Sequence, residues 1–296
     1  MEAKKPLFEG VGTALITPFC DGGLDMHAFE QLIRKQLDAG VDALIVAGTT
    51  GEASTLSEAE HKLLLQSAVY HVGGAVPVIA GCGSNDTEKM RRLSANARIC
   101  GCDGLLLVTP YYNKATPEGL IASYRAVADE NDLPILLYYV PSRTGLTVAP
   151  AVWAKLAEHP RIVGLKDASG SISYLADTMA ACGKALGYYS GNDDLIHPTI
   201  AMGGQGVISV LSNLVPAAVR MLTRLSLTGE NKKAAELQLF YLPLIRALFS
   251  EVNPIPVKTA LSVLGLCREE FRLPLCPISD AGRARLLREM SAAGVI

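Results

Sequence analysis

The sequence lacks long apolar runs, a strong excess of charge of either sign, and paired cysteines. Glycine, proline or a charged residue interrupts every apolar stretch before it reaches the roughly 20 residues that a membrane-spanning helix needs. The 27 basic and 29 acidic residues give a formal net charge of -2, and no run of like charges forms an arm for a nucleic acid. The sequence therefore predicts no membrane span and no nucleic-acid partner, and it favours small-molecule partners.

Signatures of cofactors and metal ions are also missing. The chain contains no Gly-x-Gly-x-x-Gly and no P-loop motif, so neither a dinucleotide nor ATP is implied. The seven cysteines include no Cys-x-x-Cys pair, and no histidine lies near a ligand set with zinc spacing. We expect no metal ion and no cofactor. Because no apolar stretch follows Lys4 and Lys5, we expect no signal peptide and a cytosolic protein.

What the sequence does contain is an alternation of short apolar runs with longer amphipathic stretches, which is typical of parallel βα units. Eight runs have strand length: 11–16, 43–47, 77–80, 104–108, 135–138, 162–165, 187–190 and 206–210. Eight strands close a (β/α)8, or TIM, barrel of roughly 250 residues. We predict an α/β fold with this barrel over residues 1–228 and a C-terminal helical extension over residues 229–296.

Two helix starts are marked in the sequence. Ser57 and Glu60 have the spacing of a capping box, in which the serine hydroxyl and the glutamate carboxylate each accept a hydrogen bond from a free backbone N–H. Thr116 followed by Pro117 offers a cap and a proline at the first helical position. Each signal follows a strand, as a βα unit requires.

Reactive side chains follow several of the predicted strands. They are Thr49, Thr50 and Glu52 after the second, Tyr111 and Tyr112 after the fourth, Tyr138 and Arg143 at the fifth, Lys166 at the sixth, and Asn192 and Asp193 at the seventh. In a TIM barrel the active site lies where the carboxyl ends of the strands meet. We therefore expect these side chains to converge on one face.

Lys166 is the central candidate. It continues the apolar run 162–165, and a lysine in that place can point its amine into the mouth of the barrel. Desolvation there lowers the pKa of an amine, and the neutral amine is a nucleophile that attacks ketones. The alternative is a lysine that ends the strand and turns to solvent. Position alone favours neither, and the hydroxyl and guanidinium groups expected at the same rim favour the nucleophile.

The partners of Lys166 have two interpretations as well. Thr49, Tyr138 and Tyr112 can relay protons to and from one oxygen atom, although a single tyrosine at a barrel rim is more often a packing residue. Arg143 lies in a loop rich in proline, serine and glycine. Its planar guanidinium suits a carboxylate, although a surface arginine is the commoner case. Their convergence on one face favours the functional interpretation.

Several motifs resemble the dihydrodipicolinate synthase branch of the pyruvate-dependent class I aldolases, a family that also includes N-acetylneuraminate lyase. The resemblance covers nearly the whole chain. Its motifs are Gly-Thr-Thr-Gly-Glu at 48–52, Val-Ile-Ala-Gly at 78–81, Val-Thr-Pro-Tyr-Tyr-Asn at 108–113, Val-Pro-Ser-Arg-Thr-Gly at 140–145, Gly-Leu-Lys at 164–166, Gly-Val-Ile-Ser-Val at 206–210 and Asn-Pro-Ile-Pro-Val-Lys at 253–258.

The resemblance implies an activity and a set of roles. Pyruvate would form a covalent imine with Lys166, and its enamine would attack the aldehyde of L-aspartate 4-semialdehyde to give 4-hydroxy-tetrahydrodipicolinate, on the pathway to diaminopimelate and lysine. Thr49, Tyr138 and Tyr112 would relay protons, with Tyr112 reaching into a neighbouring subunit. The substrate-binding residues would be Thr50, Arg143, Gly191 and Ile208. Family members are usually homotetramers built as a dimer of dimers.

The chain departs from the family pattern at two places. Tyr139 stands where many synthases have asparagine, a change expected to alter the shape of the pocket. The second departure is at the site where lysine inhibits sensitive family members. That site is formed around the segments that hold Ala53, Ser54, Glu58, His61, Asn85, Lys89 and Tyr111. Lys89 replaces the expected carboxylate and would face the ammonium of lysine, so we hypothesise weak or absent inhibition.

Two alternatives remain open from the sequence. A sister pyruvate aldolase would act on a sugar-acid aldehyde, as sialate and keto-deoxy-sugar lyases do, but Arg143 suits a short substrate that bears a carboxylate. A catalytically idle barrel that acts as a sensor or scaffold would be expected to lack the lysine or part of the relay, and both are present.

Overall fold

The computed structural model describes residues 3–296, and its centre is a closed barrel of eight parallel strands. The strands of the chain are β1 (Gly10–Ala14), β2 (Phe19–Cys20), β3 (Gly23–Leu24), β4 (Ala43–Val46), β5 (Val78–Gly81), β6 (Gly104–Val108), β7 (Ile135–Tyr139), β8 (Ile162–Asp167), β9 (Gly187–Ser190) and β10 (Gly206–Ser209). The barrel contains β1 and β4 to β10 in sequential order, and it closes where β1 pairs with β10. The predicted TIM barrel is confirmed.

Helices surround the barrel and continue beyond it. They are α1 (Met26–Asp38), α2 (Glu58–Val72), α3 (Thr87–Ile99), α4 (Pro117–Glu130), α5 (Pro141–Thr144), α6 (Pro150–Ala157), α7 (Ile172–Cys182), α8 (Ile196–Ala201), α9 (Pro216–Leu227), α10 (Asn231–Leu248), α11 (Ile255–Val263) and α12 (Asp280–Ala292). Within residues 3–296, no helix combines the length and the apolar character that crossing a membrane requires.

Both predicted helix starts have the expected geometry. The Ser57 hydroxyl accepts a hydrogen bond from the Glu60 N–H at 3.2 Å, and the Glu60 carboxylate accepts one from the Ser57 N–H at 2.9 Å. Thr116 accepts a hydrogen bond from the Gly119 N–H at 3.2 Å, and Pro117 opens α4. These caps satisfy N–H groups that have no partner inside their helix.

Some boundaries differ from the sequence prediction. β8 continues through Asp167, so Lys166 lies inside a strand. The segment of Arg143 is a one-turn helix rather than a loop, because Pro141 fits the first helical position and Gly145, at φ 63°, ends the turn. The β2–β3 hairpin was not predicted, since two-residue strands carry no recognisable periodicity.

The apolar core has two layers that meet at the strands. Inside the barrel, side chains such as Ile45, Leu106, Tyr138 and Ile208 pack together. A larger cluster lies between the strands and the helices and includes Leu244 and other residues of the C-terminal extension. Because successive strand residues point to opposite faces, each strand supplies both layers.

The C-terminal extension is helical, and none of the strands described in residues 3–296 follows β10. Helix α10 packs against α8 and α9, and α12 packs against α10 and α11. The extension thus shares the outer core with the barrel. The division of the chain at residues 228 and 229 stays a prediction.

Candidate active site

Lys166 lies near the carboxyl end of β8 with its side chain inside the barrel. Its backbone pairs in register with Tyr138 of β7, and its side chain is only 6% exposed. The ammonium Nζ lies 4.2 Å from the centroid of the Tyr138 ring, within the range of a cation–π contact. The amine is therefore turned away from solvent and held against a hydroxyl-bearing ring.

Gly191 provides the space that the Lys166 side chain occupies. A Cβ atom at position 191 would lie 3.1 Å from Lys166 Cε and 2.7 Å from Ala168 Cβ. The Gly191 N–H donates to the Asp167 carbonyl at 2.6 Å. Only glycine allows the loop after β9 to approach the lysine this closely.

Asp193 is a buried carboxylate beside the lysine. Its Oδ2 atom accepts hydrogen bonds from the N–H groups of Val210 at 3.0 Å and Leu211 at 2.9 Å. Burial raises the pKa of Asp193, while those hydrogen bonds and the Lys166 charge oppose the rise. This carboxylate anchors the end of β10, next to Ile208. The sequence placed Asp193 at the rim but suggested no role for it.

A tight turn after β4 carries Thr49 and Thr50. The Glu52 N–H donates to the Thr49 carbonyl at 3.1 Å and the Gly51 N–H to the Gly48 carbonyl at 3.0 Å. Thr50 is buried, and its hydroxyl oxygen accepts a hydrogen bond from Asn253 Nδ2 at 3.0 Å. The turn is thus closed by its own backbone and held by a residue of the C-terminal extension.

One cavity of about 220 Å3 joins the barrel mouth to the predicted effector site. On the barrel side it is lined by Thr49, Tyr138 and Arg143. On the other side the lining includes Ala53, Ser54, Glu58, His61, Lys89 and Tyr111. The structure thus places three of the predicted active-site residues and six of the seven predicted effector residues around one space. Asn85 is outside this lining, and its carbonyl accepts a hydrogen bond from Asn113 at 2.9 Å.

Arg143 extends from α5 to the cavity. One of its nitrogens, Nη2, donates to the carbonyl of Asn253 at 2.9 Å. The guanidinium has five N–H donors, so this single contact leaves donors for an anion in the cavity. The contact also fixes the direction of the side chain.

The effector side of the cavity has its own electrostatics. His61 Nε2 donates to the Gly81 carbonyl at 2.9 Å, and in residues 3–296 its Nδ1 atom has no hydrogen-bond partner. Burial lowers the pKa of His61, and the Lys89 charge lowers it further while Glu58 raises it. The lowered pKa favours the neutral form of His61, in which Nδ1 is an acceptor, and Lys89 adds a positive charge to the same wall.

Tyr112 lies outside the cavity, unlike the other two relay candidates. Its side chain is 93% exposed and its backbone is left-handed, with φ 68°. Within one chain the structure does not bring Tyr112 to the cavity that Thr49 and Tyr138 line. A positive φ is costly for a residue with a Cβ, and such strain concentrates at functional sites.

Tyr139 does not shape the pocket, so that expectation was wrong. Its ring lies 5.7 Å from Trp153 and 4.8 Å from Tyr174, measured between centroids, in the layer between β7 and helices α6 and α7. Tyr138, one residue earlier, faces the inside of the barrel. The alternation of side chains along a strand explains the difference.

In the part of the chain that the structure describes, no three His, Cys, Asp or Glu residues are grouped so that they could hold a metal ion. The groups present at the site are an amine, hydroxyl groups, a guanidinium and carboxylates.

Comparisons with known proteins point to the same family as the motifs of this chain. The family model described as the dihydrodipicolinate synthetase family matches residues 7–293. A 4-hydroxy-tetrahydrodipicolinate synthase of Exiguobacterium sibiricum is 48% identical over 292 residues, which cover 98% of this chain and 100% of that protein.

Solved structures agree as well. The crystal structure of dihydrodipicolinate synthase from Thermotoga maritima has a TM-score of 0.96 and 42% identity, covering 98% of this chain and all of that one. A structure described as the first monomeric dihydrodipicolinate synthase variant has the same TM-score and identity and covers 98% of both chains. The resemblance inferred from the motifs is confirmed, and the chain belongs to the dihydrodipicolinate synthetase family.

Proposed function

We propose that this protein is a lyase that condenses pyruvate with L-aspartate 4-semialdehyde to give 4-hydroxy-tetrahydrodipicolinate, on the route to diaminopimelate and lysine. The observation that carries the proposal is the amine of Lys166, buried inside the barrel and 4.2 Å from the Tyr138 ring. The full-length similarity to synthases with this name supports the choice of substrates.

Lys166 begins the reaction as a nucleophile. Its neutral amine attacks the keto carbon of pyruvate, and loss of water from the carbinolamine gives a covalent imine. Loss of a proton from the methyl carbon converts the imine to an enamine. That carbon forms a bond to the aldehyde carbon of the semialdehyde, whose oxygen becomes a hydroxyl group. The substrate amine then attacks the imine carbon and displaces Lys166. No metal and no separate cofactor takes part.

Proton transfer accompanies each of these steps. The Tyr138 ring is beside the Lys166 amine, and Thr49 lines one cavity together with Tyr138, so we assign their two hydroxyl groups to the oxygen that leaves as water. Tyr112 completes the relay from a second subunit, a role that its exposure on its own subunit permits. Such a relay moves protons through positioned hydroxyl groups without releasing them to solvent.

The two substrate carboxylates bind to different groups. Thr50, with the backbone at Gly191 and Ile208, binds the carboxylate end of pyruvate near Lys166. Arg143, at the cavity mouth, binds the carboxylate of the semialdehyde through charge-assisted hydrogen bonds. The active assembly is a homotetramer built as a dimer of dimers, and it works in the cytoplasm with small molecules as its partners.

Substrate-specific turnover tests this function. Purified protein is supplied with pyruvate and either aspartate semialdehyde or the aldehydes of sugar acids, and product formation is measured for wild type, Lys166→Ala and Arg143→Ala. We expect wild type to turn over pyruvate with the semialdehyde and not with the sugar-acid aldehydes. We expect no turnover in Lys166→Ala. Preferred turnover of a sugar-acid aldehyde would contradict the proposal in favour of a sister lyase.

The Arg143→Ala variant tests the semialdehyde site separately. A hydrogen bond to a charged group contributes about 1.5–3 kcal/mol, so we expect kcat/KM for the semialdehyde to fall by about 10- to 100-fold. Arg143→Lys keeps the charge and is the matched control, with a smaller loss. Imine formation with pyruvate should be unchanged in both variants, and an equal loss of both activities would refute this role.

A further inference from the structure

A buried ion pair joins the C-terminal extension to the turn that carries Thr49 and Thr50. The ammonium Nζ of Lys258, in α11, lies 2.6 Å from Glu52 Oε1. The side chain of Lys258 is 0% exposed and that of Glu52 is 1% exposed. The two residues are 206 positions apart in the chain, so the pair is a long-range contact between the extension and the mouth of the barrel.

The surroundings make Lys258 depend on Glu52. The ammonium also faces two aromatic rings, that of Phe19 at 4.2 Å and that of Phe271 at 5.1 Å. Burial lowers the pKa of Lys258, and Glu52 opposes that shift most strongly, with smaller contributions from Cys267 and Glu270. Desolvating two charges is costly, and replacing such a pair by neutral residues often leaves a protein as stable as before. Stability alone does not account for a pair in this position.

The turn itself has a strained residue where the pair attaches. Glu52 has φ 54°, in the left-handed region that residues with a Cβ rarely adopt. Its N–H donates to the Thr49 carbonyl at 3.1 Å. Thr17 also contacts the turn, donating from its hydroxyl to the Gly51 carbonyl at 2.7 Å. The Glu52 side chain thus connects the turn of Thr49 and Thr50 to Lys258, and its second oxygen accepts a hydrogen bond from the Arg272 N–H at 3.3 Å.

Asn253, five residues before Lys258, contacts two substrate-binding candidates at once. Its side-chain Nδ2 donates to the Thr50 hydroxyl oxygen at 3.0 Å, and its backbone carbonyl accepts a hydrogen bond from Arg143 Nη2 at 2.9 Å. Because the amide N–H occupies a lone pair of the Thr50 oxygen, the hydroxyl hydrogen of Thr50 is left to donate to an acceptor such as a carboxylate.

We propose that Lys258, Glu52 and Asn253 are positioning residues for pyruvate capture: the ion pair fixes the turn, and Asn253 directs the Thr50 hydroxyl toward the carboxylate of pyruvate. This inference rests on the proposed function. Small misplacements of groups that orient a substrate can reduce rates by about 100-fold. The extension is thus a part of the active site rather than only a cover for the barrel.

The ion pair is tested with the double variant Glu52→Gln, Lys258→Met, which removes both charges and so leaves neither one buried alone. The control is Lys233→Met, Glu230→Gln, which removes an exposed ion pair of the extension at the start of α10. In each purified full-length protein, thermal unfolding, KM for pyruvate and the rate of borohydride-trapped imine formation are measured.

We expect the double variant to form the imine at least about tenfold more slowly, with a raised pyruvate KM, while the control stays within about twofold of wild type. The KM for the semialdehyde should change little in both. A folded double variant with wild-type imine formation and pyruvate KM would overturn the inference. A wild-type protein that forms no adduct at all would overturn the proposed function as well.

Asn253→Ala tests the same idea without changing a charge, so it remains informative if the double variant does not fold. Its backbone carbonyl can still bind Arg143, so the loss is confined to the contact with Thr50. We expect pyruvate KM to rise by about tenfold and the effect to be non-additive with Thr50→Val, because both variants remove one interaction. Fully additive effects, or a wild-type KM in Asn253→Ala, would refute the role of Asn253.

Discussion

Lys89 places a positive charge on the predicted effector side of the cavity. It lines the cavity together with Glu58 and His61, and its charge lowers the pKa of His61. A lysine molecule brought to this wall would place its ammonium groups near a fixed ammonium. Like charges at a binding site act against the ligand rather than merely failing to attract it.

We therefore expect free lysine, at concentrations up to several millimolar, to leave turnover of pyruvate and semialdehyde unchanged. The measurement is initial rate against lysine concentration for wild type and Lys89→Glu. The variant should gain inhibition, because its carboxylate can pair with the ammonium of the ligand. Strong inhibition of the wild type by submillimolar lysine would show that this view of Lys89 is wrong.

At the residue scale, the sequence was most informative about Lys166 and least informative about long-range contacts. The position of Lys166 after an apolar strand favoured neither direction, and the hydroxyl and guanidinium groups expected at the same rim predicted the inward position, which the structure has. Tyr139 was misjudged because one step along a strand reverses the direction of a side chain. The contact between Glu52 and Lys258 joins residues 206 positions apart, and no local pattern marks either residue as the partner of the other.

The first turn of helix α2 is bound by a residue that is far away in the sequence. Glu60 completes the capping box and also binds Arg272 of the C-terminal extension. The Arg272 guanidinium is the main cause that lowers the pKa of Glu60 to about 2, from an ordinary value of 4.5. A carboxylate with a lowered pKa in the folded state stabilises the fold when it is ionised.

The stabilisation by Glu60 should thus be complete above about pH 4.5 and disappear as the pH falls toward about 2. We expect Glu60→Gln to lower the free energy of unfolding by about 1 kcal/mol at pH 7, and the difference from wild type to shrink across that window. Denaturant unfolding at a series of pH values measures it. Glu118→Gln, in the first turn of α4, is the control, and a difference that grows toward low pH would contradict the assignment.

Elements with strong local signals were predicted better than short ones. The two marked helix starts at Ser57 and Thr116 were confirmed, because caps depend on neighbours within three residues. The hairpin of β2 and β3 and the single turn of α5 were missed, because elements of two to four residues are too short to show a period. Arg143 lies in this one-turn helix and not in the loop that the sequence predicted.

At the scale of the whole molecule, the proposed relay requires a second subunit, because Tyr112 lies outside the cavity of its own chain. Its side chain is 93% exposed on its own subunit, while Thr49 and Tyr138 line the cavity. If a second copy supplies Tyr112 across a two-fold axis, each site needs residues from both subunits.

Mixing two inactive variants tests this sharing. Tyr112→Phe lacks the relay residue that a subunit gives to its neighbour, and Lys166→Ala lacks the nucleophile. In a mixed dimer, the site on the Tyr112→Phe subunit has its own Lys166 and receives Tyr112 from the Lys166→Ala subunit. Random mixing of equal amounts makes about half of the dimers mixed, and one of the two sites in each is restored. Activity should therefore return at about a quarter of the sites. Activity and molar mass are measured after reassembly. No recovery in protein that has mixed would indicate that Tyr112 does not act across subunits.

The most direct test of the account is to trap the Lys166 imine. Wild type and Lys166→Ala are incubated with pyruvate and borohydride, digested and analysed by peptide mass spectrometry. We expect one reduced pyruvate adduct on the Lys166 peptide of the wild type and none in the variant. An adduct on another lysine, or an equal adduct in Lys166→Ala, would contradict it.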